Sequence, residues 1–162
     1  MKIKSYGLVV LACILFSIVL GSAAYAEERD GTWQLVKREL PDGTVLTPPA
    51  VYGRSSVKSG VTQLVVFWPA PGGKNASLSS LSRWEWSESE VAATPMLVIF
   101  DDGSGNGPVY AVGGDTKRSP ITKQGGRSSY QHPIDPPLIV LEKKKMTATL
   151  KGAFTDYWEK LD

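Results

Sequence analysis

The sequence predicts an all-β domain, folded as a single antiparallel up-and-down barrel of about eight to ten strands. Three observations predict it. Glycine and proline punctuate the chain so closely that only Lys74–Thr94 runs longer than 14 residues without either. A helix interior loses about 1 kcal/mol at each glycine and about 3 at each proline, so a helical bundle is disfavoured. Apolar and polar residues alternate at the strand period in Val61–Trp68 and Met146–Lys151. Turn chemistry, at Pro41-Asp42-Gly43, Gly72-Gly73 and Gly125-Gly126, falls between such runs.

The elements follow in order. Gly31–Leu40 is the first strand, with Trp33, Leu35 and Lys37 on one face and Gln34 and Val36 on the other. Pro48-Pro49 makes a loop, because proline cannot donate to a sheet. Val51–Lys58 reads as a polar strand, and Val61–Trp68, rich in β-branched and aromatic residues, as the strongest one. Leu78–Glu88 is ambiguous: Leu78, Leu81 and Trp84 recur at a helical spacing, whereas Trp84 and Trp86 alternate with Arg83, Glu85 and Ser87. Serine and tryptophan are mediocre helix formers, so a strand is expected, with a short helix as the alternative. Short strands follow at Pro95–Asp101, Pro108–Val112, Arg127–His132 and Leu138–Glu142. A hairpin tip is expected over Glu142–Lys145, and then strands at Met146–Lys151 and Phe154–Leu161. A meander of about nine strands buries its edges best by closing on itself.

The first 26 residues stand apart. Lys2 and Lys4 precede an apolar run, Leu8–Leu20, of 13 residues, shorter than the roughly 20 a membrane span requires. Ala24-Tyr25-Ala26 forms an A-x-A box, so the expectation is a signal peptide, residues 1–26, cleaved after Ala26. One domain then covers 27–162, and the protein is exported to the periplasm or secreted. Cys13 is the only cysteine and leaves with the signal, which excludes disulfides and thiolate chemistry from the mature chain. Loss of Lys2 and Lys4 leaves 16 basic against 16 acidic residues. A neutral domain lacks the charge footprint of a nucleic-acid binder. Lys117, Arg118, Lys123 and Arg127 cluster, as do Lys143, Lys144 and Lys145, and both groups read as solvated loops or tips.

No residue constellation names a reaction, so no catalytic residue is assigned. His132 is the sole histidine, with Asp135 nearby, but both precede prolines in an extended loop. No cluster suits zinc or iron, and no metal or cofactor is expected. Asp102, Ser104, Asn106 and Gly107 fit the first, third, fifth and sixth places of a calcium loop, yet Gly113 stands where the closing glutamate belongs. A glycine-rich turn is the reading for Asp101–Gly107.

Gly31-Thr32-Trp33-Gln34-Leu35-Val36, then Asp42-Gly43-Thr44, and at the end Tyr157-Trp158-Glu159-Lys160-Leu161, resemble the lipocalin-like (calycin) domains of bacterial exported proteins. The resemblance rests on short motifs at the two ends. It implies that Trp33 plugs the closed bottom of a barrel as a structural residue, and that the last strand pairs back near the first. Two features depart from the family pattern. The late arginine of lipocalins is missing, the last strand offering only Lys160, and Thr155-Asp156-Tyr157 matches a lipocalin motif only in letters.

The resemblance and the aromatic strands together suggest a small apolar ligand held in the barrel, with Trp84, Trp86, Phe67, Trp68 and Tyr110 as candidate contacts. The alternatives are a small calycin-fold enzyme (isomerase, cyclase or hydrolase) and a filled barrel acting on envelope partners through its surface, where Lys117–Arg127 would matter. No nucleic-acid partner and no membrane span after cleavage are expected. Intact-mass measurement of the exported protein is expected to give the mass of 27–162, with Glu27 as first residue. An intact Lys2–Ala26 segment would contradict the cleavage.

Overall fold

The computed structural model describes residues 29–162, and the expected signal segment, with Lys2, Lys4, Cys13 and Ala24-Tyr25-Ala26, lies outside them. Thirteen strands form one antiparallel sheet. They are β1 Gly31–Glu39, β2 Val45–Leu46, β3 Tyr52–Lys58, β4 Val61–Pro69, β5 Asn75–Trp86, β6 Glu90–Asp101 and β7 Val109–Val112. The remainder are β8 Lys117–Pro120, β9 Thr122–Gln124, β10 Arg127–Gln131, β11 Leu138–Glu142, β12 Lys145–Leu150 and β13 Phe154–Lys160. The order along the sheet is β7-β6-β5-β4-β3-β1-β13-β12-β11-β10-β9, with β2 added to β1 and β8 to β6. This is an up-and-down meander in which the first long strand meets the last.

The sheet does not close by a continuous ladder. β7 and β8 both pair with β6, at Leu97–Phe100 and at Glu90–Ala93, and are separated by Gly113–Thr116. After Ile121 the same run of chain becomes β9 and pairs with β10 through three residues. The segment from Val109 to Gln124 therefore starts on one end of the sheet and finishes on the other. The chain itself bridges the seam, and no described strand pairs with the outer edge of β7. More strands exist than the sequence suggested because Lys117–Gln124, expected as a solvated basic loop, supplies this bridge. Leu78–Glu88, the ambiguous segment, lies within the strand β5 up to Trp86 and shows no helix. Pro95 does not begin a strand but sits inside β6, where a bulge opposite Leu81 and Ser82 accommodates its missing N–H.

Two bodies of core fill one part of the interior. Trp33, Leu35, Val51, Val66 and Trp158 form the first, and Leu46, Leu64 and Trp68 pack on it. Trp84, Val91, Ala93, Tyr130 and Ile139 form the second, and Leu141 and Met146 touch both. β3 contributes Gly53 where this crowding is greatest. A Cβ there would stand 2.6 Å from the Trp158 ring and 2.8 Å from Leu35 Cβ, so only glycine fits.

A bulge at Val36 changes the face of β1. Leu35 opposes Trp158, but Lys37 opposes Tyr157 and Arg38 opposes Asp156. Simple alternation put Lys37 on the face of Trp33. The bulge instead sends Lys37 outward, where its ammonium lies 4.0 Å from the Tyr157 ring centre and 2.6 Å from Glu39, and turns Arg38 inward. Arg38 donates from Nε and Nη2 to the two carboxylate oxygens of Asp156, at 2.6 and 2.7 Å, with both side chains buried. The Phe154 and Trp68 rings lie 4.1 and 5.2 Å from the guanidinium carbon. Burial pushes the Asp156 carboxyl above its ordinary value, and the guanidinium pulls the other way.

Removing one partner of such a pair strands a buried charge. Arg38→Ala or Asp156→Ala is expected to cost about 3–5 kcal/mol in urea unfolding, whereas Arg38→Met with Asp156→Leu recovers most of that loss. Single substitutions costing under about 1 kcal/mol would show the pair to be dispensable.

Candidate functional site

The aromatic residues divide between a packed end and an open end. On β5, Trp84 and Trp86 lie two residues apart and so share the inner face. Their rings stack with centres 5.2 Å apart and planes 14° from parallel. Tyr130 on β10 meets Trp86 edge-on at 5.3 Å, and His132 meets Trp84 edge-on at 4.9 Å. The Arg29 guanidinium covers the Trp86 face at 3.6 Å. Burial drives the Tyr130 phenol upward, so it stays protonated and neutral. A cavity of about 20 Å³ lies beside this group, lined by Arg29, Trp33, Gly126, Ser128, Leu141 and Lys143. That volume suits roughly one water molecule.

His132 has a local task. Its Nδ1 accepts the amide N–H of Asp135 at 2.9 Å and of Ile134 at 3.3 Å. Its own amide donates to Pro137 O at 2.9 Å, and the Gln131 side chain donates to Pro136 O. The imidazole thus brackets the proline-rich turn between β10 and β11. Burial holds its pKa below the ordinary value, against the opposing charge of Asp135. An Nδ1 engaged by two donors is not placed to take a substrate proton. In the Asp101–Gly107 turn the carboxylates likewise face their own backbone, Asp101 accepting from Gly103 and Asp102 from Ser104, each at 2.8 Å. The Ser104 hydrogen bonds hold Asp102 below the usual carboxylate range.

The open end is defined by register. Val66, Leu78, Phe100 and Val109 stand in one row across β4, β5, β6 and β7, facing inward with the buried Val66. Exposure rises along this row, from 4% at Val66 to 38% at Phe100 and 67% at Val109. The next row, Leu64, Ser80, Val98 and Ala111, is partly covered until it reaches the exposed Ala111. Among the described residues, the side chains of this face are least covered as it approaches β7. Trp68 lies beside these rows, with its ring 6.3 Å from Phe100 and 28° from parallel to it. The product is a partly exposed apolar row, Leu78, Phe100 and Val109, with the Trp68 ring beside it.

The five sequence candidates therefore separate. Trp84 and Trp86 belong to the packed end, and Trp68 to the open face. Phe67 and Tyr110 point outward, Phe67 against Tyr52 at 6.4 Å and Tyr110 into solvent. Trp33 is buried in the first core and donates its indole N–H to Arg29 O at 3.3 Å. Leu78, Phe100 and Val109 complete the open face and carry no individual sequence signal, since an inward row is assembled by pairing across four strands. The buried indole N–H groups of Trp84 and Trp158 meet no acceptor among the described residues.

No family model matches the sequence, and neither does any curated protein. Among solved structures the chain is similar to a lipocalin-like protein from Bacteroides uniformis. The two share 12% identity at a TM-score of 0.35, over 83% of this chain and 99% of that one. At that score the likeness carries no argument about a site.

The bracket on His132 has a pH consequence. A native pKa below the unfolded one means that the unfolded chain takes up the proton first. Stability is thus complete above the ordinary imidazole range and is lost as pH falls below about 6.5 toward the depressed native value, by at most about 1.4 kcal/mol per pH unit. Urea unfolding from pH 8 to 5 is expected to show this slope in the wild type relative to His132→Asn, which keeps an acceptor without titrating. Parallel pH profiles would remove the role assigned to the imidazole.

Proposed function

We propose that this is an exported lipocalin-like protein that binds a small, flat, apolar molecule on the uncovered inner face of β4–β7. The observation that carries this reading is the row from Val66 to Val109, on the face of the buried Val66, whose apolar side chains become exposed toward β7. Inward apolar side chains ordinarily find a partner wall, and exposing them costs about 25 cal/mol per Å². A ligand seated between Trp68, Phe100 and Val109 would remove that area from water, with the Trp68 and Phe100 rings offering stacking faces. Trp84 and Trp86 stay in the packed end and take no part in the contact.

Native mass spectrometry of the protein, purified gently after export by its own signal, tests this. A reproducible added mass, released by organic solvent, is the expected result. Phe100→Asp, at a position already partly in solvent, is expected to abolish it and to lower the affinity for an apolar fluorescent reporter by about 100-fold or more, without changing the far-ultraviolet spectrum. A bare wild-type mass together with no saturable reporter binding would overturn the reading.

A further inference from the structure

We propose that β7 is a self-pairing edge through which two copies of this chain join about a two-fold axis. This inference rests on the strand order and not on the ligand reading. β7 ends the hydrogen-bonded order of the sheet, and no described strand pairs with its outer edge. It is apolar on both faces. Val109 and Ala111 point to the inner side and Tyr110 and Val112 to the outer side, with Tyr110 76% and Val112 81% exposed. On the outer side, Tyr110 and Val112 continue rows through Ile99 and through Leu97 and Leu81.

The other end of the order is guarded differently. β9 carries Thr122, Lys123 and Gln124, a polar edge with a lysine, which is how an edge avoids pairing. β7 has no charge in its four residues. Pro108 and Gly113-Gly114 bound it, so pairing stays short and cannot spread along the chain.

The occupant that fits is a second β7. A two-fold axis perpendicular to the sheet keeps inner faces with inner faces, so opposed residues must share a face. Ala111 then opposes Ala111 of the second copy, and Tyr110 opposes Val112, an aromatic with a β-branched residue. The flanks agree in charge. Asp101 and Asp102 precede β7, and Lys117 and Arg118 follow it. Antiparallel pairing brings the acidic side of one copy to the basic side of the other, while Asp115 falls opposite Gly107 rather than an acid. Arg118 already holds Glu90 at 2.7 Å and would keep it at the border of the joint. Two-fold pairing uses up the edge on both copies and closes, so it yields dimers and not fibres. It also extends the inner wall beyond Val109, giving the uncovered row a neighbour.

The test uses the exported chain carrying Cys13→Ser, so that an introduced thiol stands alone. Ala111→Cys is expected to form a disulfide-linked dimer under mild oxidation, because directly opposed residues of paired strands lie within disulfide reach. Val61→Cys, at an exposed position on β4, is not. A joint this small falls in the class below about 1,200 Å², so light scattering of the wild type should rise from one to two chain masses between about 1 μM and about 1 mM. Tyr110→Lys with Val112→Lys should stay at one mass with an unchanged tryptophan spectrum. A wild type of one mass at the highest concentration would overturn the proposal. So would a dimer that survives the double lysine variant, crosslinking at Val61 in place of Ala111, or growth beyond two copies. Protection of the β7 amides from exchange only when another exported protein is added would assign the edge to that protein and equally reject self-pairing.

Discussion

The pairing of Arg38 with Asp156 is the contact on which the rest of this sheet depends. The two residues oppose one another on the first and last long strands, and their side chains meet in the interior between the Trp68 and Phe154 rings. A buried ion pair of this kind is weak evidence for net stability, since desolvation offsets much of its attraction. Its force lies in register. Shifting β13 by one residue along β1 would turn Asp156 to the outer face and leave the Arg38 guanidinium buried without its carboxylate, an arrangement far costlier than the correct one. The bulge at Val36 is the backbone device that makes it possible, because without it Arg38 would face solvent and Lys37 the core.

From that fixed line the interior develops in two directions. Toward β10 and β11 the inward residues are large, and Trp33, Trp158, Trp84, Trp86 and Tyr130 fill the space. Toward β7 they shrink to Ala76, Ser80 and Ala111, and the opposite wall withdraws because the seam segment crosses to β10 only at Thr122–Gln124. Side-chain volume and seam placement together give the inner face a densely packed part and a more exposed part. The candidate site lies on the boundary between them, where Trp68 and Phe100 still have packing on one side.

Much of the fold was legible because strands announce themselves locally. Val61–Trp68, Leu138–Glu142 and the two closing strands appear close to where alternation and turn residues put them. What alternation could not carry was parity across a bulge. One extra residue at Val36 exchanged Lys37 for Arg38 on the inner face, and a second irregularity near Pro95 lets the strand expected at Pro95–Asp101 begin earlier, at Glu90. The aromatic candidates show the same limit. Phe67 and Trp68 are neighbours, so only one can face inward, and the choice rests on pairing with β5, which no local pattern encodes. Asp156 was passed over as a chance match in Thr155-Asp156-Tyr157, and its importance depends on a partner far away in sequence. The bridge Lys117–Gln124 was hidden by its charges, which read as solvation but lie on a strand whose ladder partners come from both ends of the sheet.

The junction of β1 with β13 has a consequence for how the chain matures. The two strands that complete the sheet lie at opposite ends of the sequence, so their union carries about the largest loop-closure cost the chain can offer. Neighbouring hairpins such as β4–β5 and β5–β6 can form while the chain is still emerging from a ribosome or a narrow pore. The two halves of the sheet cannot join until Phe154–Lys160 is available to pair with β1. Local hairpins therefore come first, and the curved sheet as one body waits on this single long-range pairing.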